Sequence, residues 1–308
     1  QDALKIYTEV VDAFPGSEEA KEAQLGIKKI YVDQGNVSAY QDLAQEKGLE
    51  TMSRTEYDST AWEAAEISYL KGDCEKALQS FGLYLRDFSE GLFSTQALGY
   101  QADCQVKTKQ PEKAALSYNA LLRRPKNKFT ATAHQFLGIY ERQSNHFTES
   151  INHYKELEKV AESNEQAKDA RKNIMQLSVK TGDINSATQY ATAILKKDKD
   201  DSQLVNEANL VLGRASLVSG NNDTAMDYFM PIRKLKSEIG AEARYSIALI
   251  YHRKGDYKKC EKAIFELVEE MPSYDHWLAR GFILLADNYL KLDNVFQAKQ
   301  TLQSVIDN

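Results

Sequence analysis

Tyr251-His252-Arg253-Lys254-Gly255-Asp256-Tyr257 is the stretch on which the fold turns. An apolar run ends in a large aromatic, a Gly-Asp pair follows, and a second amphipathic run begins. The same signal stands at Gln34-Gly35-Asn36, Lys71-Gly72-Asp73, Thr181-Gly182-Asp183 and Ser219-Gly220-Asn221. Weaker equivalents are Lys109-Gln110-Pro111, Ser144-Asn145-His146 and Leu292-Asp293-Asn294. Anchored on residues 35, 72, 109, 145, 182, 220, 255 and 293, the spacings are 37, 37, 36, 37, 38, 35 and 38. A fixed period of this size marks an array of like units, each too small to bury its own apolar face.

The residues around the anchors give the unit its form. Five after each anchor come Tyr40, Ala77, Ala114, Ser150, Ala187, Ala225, Cys260 and Ala298. Seven before come Lys28, Ala65, Ala102, Gly138, Met175, Gly213, Ala248 and Ala286. Most are small, as needed where two antiparallel helices bring their backbones together. Larger residues fill the seam: Phe81, Tyr118, Tyr154 and Phe229 lie nine after an anchor, and Tyr31, Tyr251 and Tyr289 lie four before one.

This pattern resembles the tetratricopeptide repeat, in which a Leu-Gly pair and a Tyr precede a turn and an Ala, a Phe and a Pro follow it. Leu137-Gly138 and Leu212-Gly213 match the pair. Tyr251, Gly255, Tyr257 and Pro272 form the fullest unit, with Cys260 in place of its Ala. The units run slightly long, and Lys28, Tyr40 and Met175 depart from the small-residue rule. The resemblance covers essentially the whole chain. It implies an all-α right-handed superhelix of antiparallel pairs: one array over residues 1–308, with eight pairs over 17–308 and an orphan second helix over 1–16. Seventeen helices are therefore expected. Both ends read as second helices without caps, so the expected parent is longer. Ala64 to Cys104, the stretch Arg124-Pro125-Lys126-Asn127-Lys128-Phe129 and His276 to Asn308 resemble long exported repeat arrays of Gram-negative gut bacteria. Those are similar to the periplasmic repeat protein of the Tol-Pal system. That resemblance implies an exported or periplasmic location, with the cytoplasm as the alternative.

Composition narrows the function. Length alone, 308 residues, suggests about two globular domains. Only 15 Gly and 5 Pro argue for helices over loop-rich β folds, and 42% hydrophobic residues suffice for a core. A net charge of −6 speaks against a nucleic-acid partner, which needs a concentrated basic face. The best apolar run, Gly281 to Leu290, is too short and too polar to span a membrane. Cys74, Cys104 and Cys260 have no CxxC spacing and read as small buried thiols, with neither a zinc site nor a disulfide.

Catalytic chemistry finds no purchase. His146 and His153, seven apart with Glu149 and Glu156 nearby, read as a solvated helix face, not a metal site. There is no HExxH, GxSxG, GxGxxG or P-loop string. No enzyme activity and no cofactor are expected. The run Lys196-Lys197-Asp198-Lys199-Asp200-Asp201 reads as a solvated loop, and Arg123 to Lys128, the one concentrated basic stretch, as an inter-repeat loop, with an anionic contact as the alternative.

A groove lined by the first helices is the remaining candidate site. Offsets of ten, six and three before the anchors select Trp62, Glu66, Tyr69, Gln135, Arg142, Lys172, Gln176, Arg214, Tyr245 and His252. Trp, Tyr and Arg are the usual hot-spot types; the alternative for Trp62 and Tyr69 is packing between repeats. A chaperone-tail clamp is not expected, because Gln176, Leu210 and Val211 stand where amide and basic groups are wanted. The expected function is a non-enzymatic scaffold binding a protein segment, in envelope assembly or maintenance. The alternatives are a carrier of envelope glycans or lipoproteins, its aromatics stacking on sugars, and a regulatory segment of a larger enzyme. One local expectation concerns Pro231: a helix from about Asp223 to Lys236, kinked at the proline and not broken.

Overall fold

The computed structural model describes residues 2–307, so the expected outer limits at residues 1 and 308 lie outside the described residues. Among these there are seventeen α-helices and no strand. The first nine are α1 (Asp2–Ala13), α2 (Glu18–Gln34), α3 (Val37–Glu46), α4 (Arg54–Leu70), α5 (Cys74–Asp87), α6 (Ser94–Lys107), α7 (Pro111–Leu122), α8 (Thr130–Gln143) and α9 (Phe147–Val160). The others are α10 (Asn164–Thr181), α11 (Ile184–Lys197), α12 (Ser202–Val218), α13 (Asn222–Ile232), α14 (Glu238–Arg253), α15 (Tyr257–Glu270), α16 (Asp275–Lys291) and α17 (Val295–Asp307). Among the described residues no helix is long and apolar enough to cross a membrane. The chain packs as two compact units, Gln1–His153 and Tyr154–Asn308.

The turn chemistry explains the period. All eight anchors have positive φ: Gly35, Gly72, Gly182, Gly220 and Gly255, and also Lys109, Asn145 and Asp293. A left-handed residue ends the first helix of each pair and reverses the chain. The residue after it then starts the second helix. Asp73 accepts from the Lys76 amide at 3.1 Å and Asp183 from the Ser186 amide at 3.0 Å. Such caps satisfy amides that the first turn leaves open.

The small residues do what their spacing implies. Ser150 and Gly138 are both buried, and the Ser150 hydroxyl donates to the Gly138 carbonyl at 2.7 Å. A Cβ on Gly213 would come within 2.6 Å of the Phe229 ring. The helices are therefore in backbone contact at the seam, and the ring covers the gap. Each seam builds its own apolar cluster. In unit 1, one joins Ala65, Ala77, Phe81, Tyr84 and Phe88; in unit 2, another joins Ala248, Cys260, Ile264, Leu267 and Met271. The core is thus a series of local clusters, as nearest-neighbour stacking produces.

Three sequence expectations need correction. First, Cys74 and Cys104 are not free thiols: they form a disulfide between α5 and α6, with Cα atoms 5.1 Å apart. Only Cys260 is a buried free thiol. The cysteines sit at unlike offsets, and stacking of one repeat on the next brings them together. Second, α13 ends at Ile232, one residue after Pro231, and does not continue to Lys236. Proline has no amide for the Asp227 carbonyl, and the chain leaves the helix within the same turn. Third, Asp198 is not a loop-surface charge. It is 4% exposed, and its carboxylate holds the buried Arg171, with Nε at 2.8 Å from Oδ2 and the terminal nitrogen at 2.5 Å from Oδ1.

Candidate functional site

The first helices of unit 1 carry an aromatic stack. Trp62 on α4 lies parallel to Phe93, at 5.2 Å between ring centroids, and to Tyr100 of α6, at 5.8 Å. Tyr100 stacks in turn on Tyr69 at 4.2 Å. Trp62 is only 6% exposed, so it is a seam residue and does not face the groove as its offset implies. Its large apolar ring gains more from packing between repeats than from water. Tyr69 is half-buried at the outer end of the stack. Its hydroxyl donates to Asp103 at 2.8 Å, and burial together with that carboxylate holds it protonated well beyond the ordinary tyrosine range. The Lys107 ammonium lies 5.2 Å from the Tyr69 ring, and that of Lys128 lies 5.1 Å from Tyr100. Glu66 is half-buried one turn along α4 from Trp62. On α8, Gln135 is half-buried and Arg142 is exposed in the last turn.

In unit 2 the predicted residues mostly reach the next first helix. Gln176 of α10 donates from Nε2 to Glu207 of α12 at 2.8 Å. Arg214 of α12 makes a two-pronged contact with the buried Glu242 of α14, the terminal nitrogen at 2.5 Å. His252 of α14 meets Asn288 of α16 at 3.3 Å. The Asn288 amide nitrogen donates to the Tyr257 carbonyl at 2.9 Å, which turns its oxygen toward the imidazole, so Nδ1 of His252 is the donor. Tyr245 is buried against Trp277 at 5.5 Å, under the Arg280 guanidinium at 4.7 Å. It too lies in the seam and not on an open groove. Lys172 is half-buried beside Arg171.

These contacts share one geometry. Tyr69–Asp103, Gln176–Glu207, Arg214–Glu242 and His252–Asn288 each join a first helix to the following first helix, as does Lys28–Glu56 at 2.6 Å. They are rungs between repeats. Their partners went unnoticed in the sequence, although each stands about one period further on and has complementary chemistry. Exposed aliphatic side chains stand at groove offsets beside exposed charged ones such as Arg142. Val106 on α6 is 40% exposed and Ile139 on α8 is 42% exposed. Val179 on α10 and Leu290 on α16 are similar.

The histidines are not arranged as a metal site. His153 is half-buried against His134, with Nδ1 atoms 3.2 Å apart, and is not on a solvated face. His146 instead pairs with Glu141 at 2.7 Å. Among the described residues no three His, Cys, Asp or Glu side chains gather as metal ligands.

A tetratricopeptide-repeat family model matches residues 282–308, the later part of α16 and all of α17. Residues 282–308 are thus similar to a tetratricopeptide repeat. Within this stretch lie the small Ala286 and Ala298 and the left-handed anchor Asp293, at the offsets that most of the other units keep. No curated protein matches the chain by sequence. Solved structures do show likeness. The MamA protein has a TM-score of 0.49 at 19% identity, over 59% of this chain and 92% of that one. The C-terminal part of a tetratricopeptide-repeat protein from Cytophaga hutchinsonii has a TM-score of 0.49 at 14% identity, over 80% and 94%. A tetratricopeptide-repeat protein from Parabacteroides merdae has a TM-score of 0.40 at 16% identity, over 83% and 93%.

Proposed function

We propose that this chain is a non-enzymatic scaffold that binds a protein segment along the first-helix face of unit 1, in envelope assembly or maintenance. A tetratricopeptide fold suggests protein–protein interaction, and repeats of this kind are typically non-catalytic scaffolds. The observation that carries the site is Val106 and Ile139: large aliphatic side chains left exposed at groove offsets, while Asp103, one turn before Val106, is engaged in a rung with Tyr69. Recurrent exposed apolar side chains on one face mark a docking surface. The glycan reading has less support here. A sugar needs a free ring face, and the stacked rings of Trp62, Tyr100 and Tyr69 cover one another.

An exported location is part of the proposal. The Cys74–Cys104 disulfide supports it, since such bonds persist in oxidising compartments and are rare in the cytosol. Thiol trapping in fractionated cells tests this, and a reduced pair in the native compartment would refute it. The binding face is tested by photocrosslinking from position 106 or 139. Protein adducts should form there and be lost in Val106→Asp and Ile139→Asp, whose exposed positions leave the fold intact. Equal labelling from Leu116, exposed on α7, would refute the face.

A further inference from the structure

Charge is distributed unevenly along unit 1. Residues 1–93, before α6, carry nine Lys and Arg against eighteen Asp and Glu. Residues 94–143, from the start of α6 to the end of α8, carry eight against three. A segment of net positive charge therefore sits within a chain whose formal net charge is −6. Arg124 is paired with Glu90, but other basic groups of the segment stay open to solvent. Lys109, Lys113, Arg123 and Lys126 are exposed. Lys107 has one carboxylate beside it, Asp103 at 2.6 Å, and that carboxylate also accepts from Tyr69. Lys128 lies against aromatic groups, the Tyr100 hydroxyl at 3.3 Å and the rings of Tyr100 and Phe129.

The same helices bear the exposed aliphatic residues. Val106 is adjacent in sequence to Lys107 on α6, and Ile139 precedes Arg142 on α8 by one turn. The Cys74–Cys104 bond ties α6 to α5 one turn from Tyr100, so the surface is held in place. Aliphatic side chains next to ammonium groups complement a segment that alternates apolar residues with carboxylates. A polyanion without apolar groups would use only half of that surface.

We infer that the α6–α8 face takes an acidic amphipathic polypeptide segment, its aliphatic side chains on Val106 and Ile139 and its carboxylates at Lys107 and Lys128. This rests on the protein-binding reading above and gives the partner its chemistry. The test uses the 308-residue chain and two fluorescein-labelled twelve-residue peptides of alternating leucine pairs, one with Glu at the polar positions and one with Lys. Fluorescence anisotropy should show binding of the Glu peptide, weakened about tenfold between low and physiological salt and about tenfold again in Lys107→Glu/Lys128→Glu. Ile139→Asp should also weaken it. Preferential binding of the Lys peptide would overturn the inference and leave the protein-binding face standing, provided that Ile139→Asp weakens it. Binding of inorganic polyphosphate as tightly as the Glu peptide would overturn it in favour of a general anion surface. Binding of the Glu peptide unchanged by either variant would overturn the site. Binding of neither peptide, with no adduct from positions 106 and 139, would overturn both readings.

Discussion

The Ser150 hydroxyl reaches the Gly138 carbonyl at 2.7 Å across the seam between α9 and α8. These residues stand five after and seven before the anchor Asn145, and the bond shows that the two small-residue offsets face each other. A larger side chain at either position has nowhere to go. Ser150→Leu should destabilise this pair by about 2–3 kcal/mol through overpacking. Ser150→Ala, which removes one hydrogen bond, should cost about 1 kcal/mol. Hydrogen exchange of the α8 and α9 amides would rank the two, and equal effects would contradict the close approach.

Lys109 holds the left-handed conformation that glycine holds at other anchors, with φ of 58°. A Cβ there is strained. Lys109→Gly should therefore be neutral or stabilising by up to about 1 kcal/mol. Gly72→Ala, in open space with φ of 78°, should destabilise by about 1 kcal/mol. Urea denaturation of the two variants should give shifts of opposite sign, or a shift for Gly72→Ala alone.

The disulfide closes a loop with a sequence separation of 30. Removing that constraint from the unfolded chain, as in Cys74→Ser/Cys104→Ser, should cost unit 1 about 3–4 kcal/mol on the chain-entropy account. Burial pushes the Cys260 thiol up to about 12, so it should resist alkylation in the native protein. Mass spectrometry after native alkylation should find no label before reduction and two after it. Rapid labelling of Cys260 would contradict its burial.

Burial lowers the basicity of His153 below the usual imidazole value of 6.5. The folded state thus binds fewer protons than the unfolded one, and stability falls as the pH drops below about 6.5. Unfolding midpoints should decline between pH 7 and 5, and His153→Asn should flatten that slope. A midpoint that rises toward pH 5 would exclude this account. The carboxylates held low by basic partners, such as Glu90 by Arg124, lose their contribution only at more acid pH.

The positions that could be read from the sequence are those where backbone geometry admits few residues. A left-handed turn selects Gly or a tolerant substitute, and a close seam selects Ala, Ser or Gly, so all eight anchors could be placed in advance. What depends on lateral stacking could not. The offset of Trp62 left groove and seam both open, and the ring of Phe93 decides for the seam. Cys74 and Cys104 occupy different offsets, so periodicity alone never pairs them. Pro231 sits in an unbroken apolar pattern, but the pattern reports burial and not the missing amide that ends the helix.

The rungs between first helices make the order of the repeats matter. Arg214 and the buried Glu242 are matched across one junction, and Gln176 and Glu207 across the one before it. Excising α12 and α13 would keep the period and every remaining turn, yet bring the uncharged Gln176 toward Glu242. A carboxylate buried without its cation costs about 3–5 kcal/mol. Repeats of this chain are therefore not interchangeable modules. Those joined by a rung are keyed to their successors, and gain or loss of a unit there requires a compensating change of residue at the new boundary.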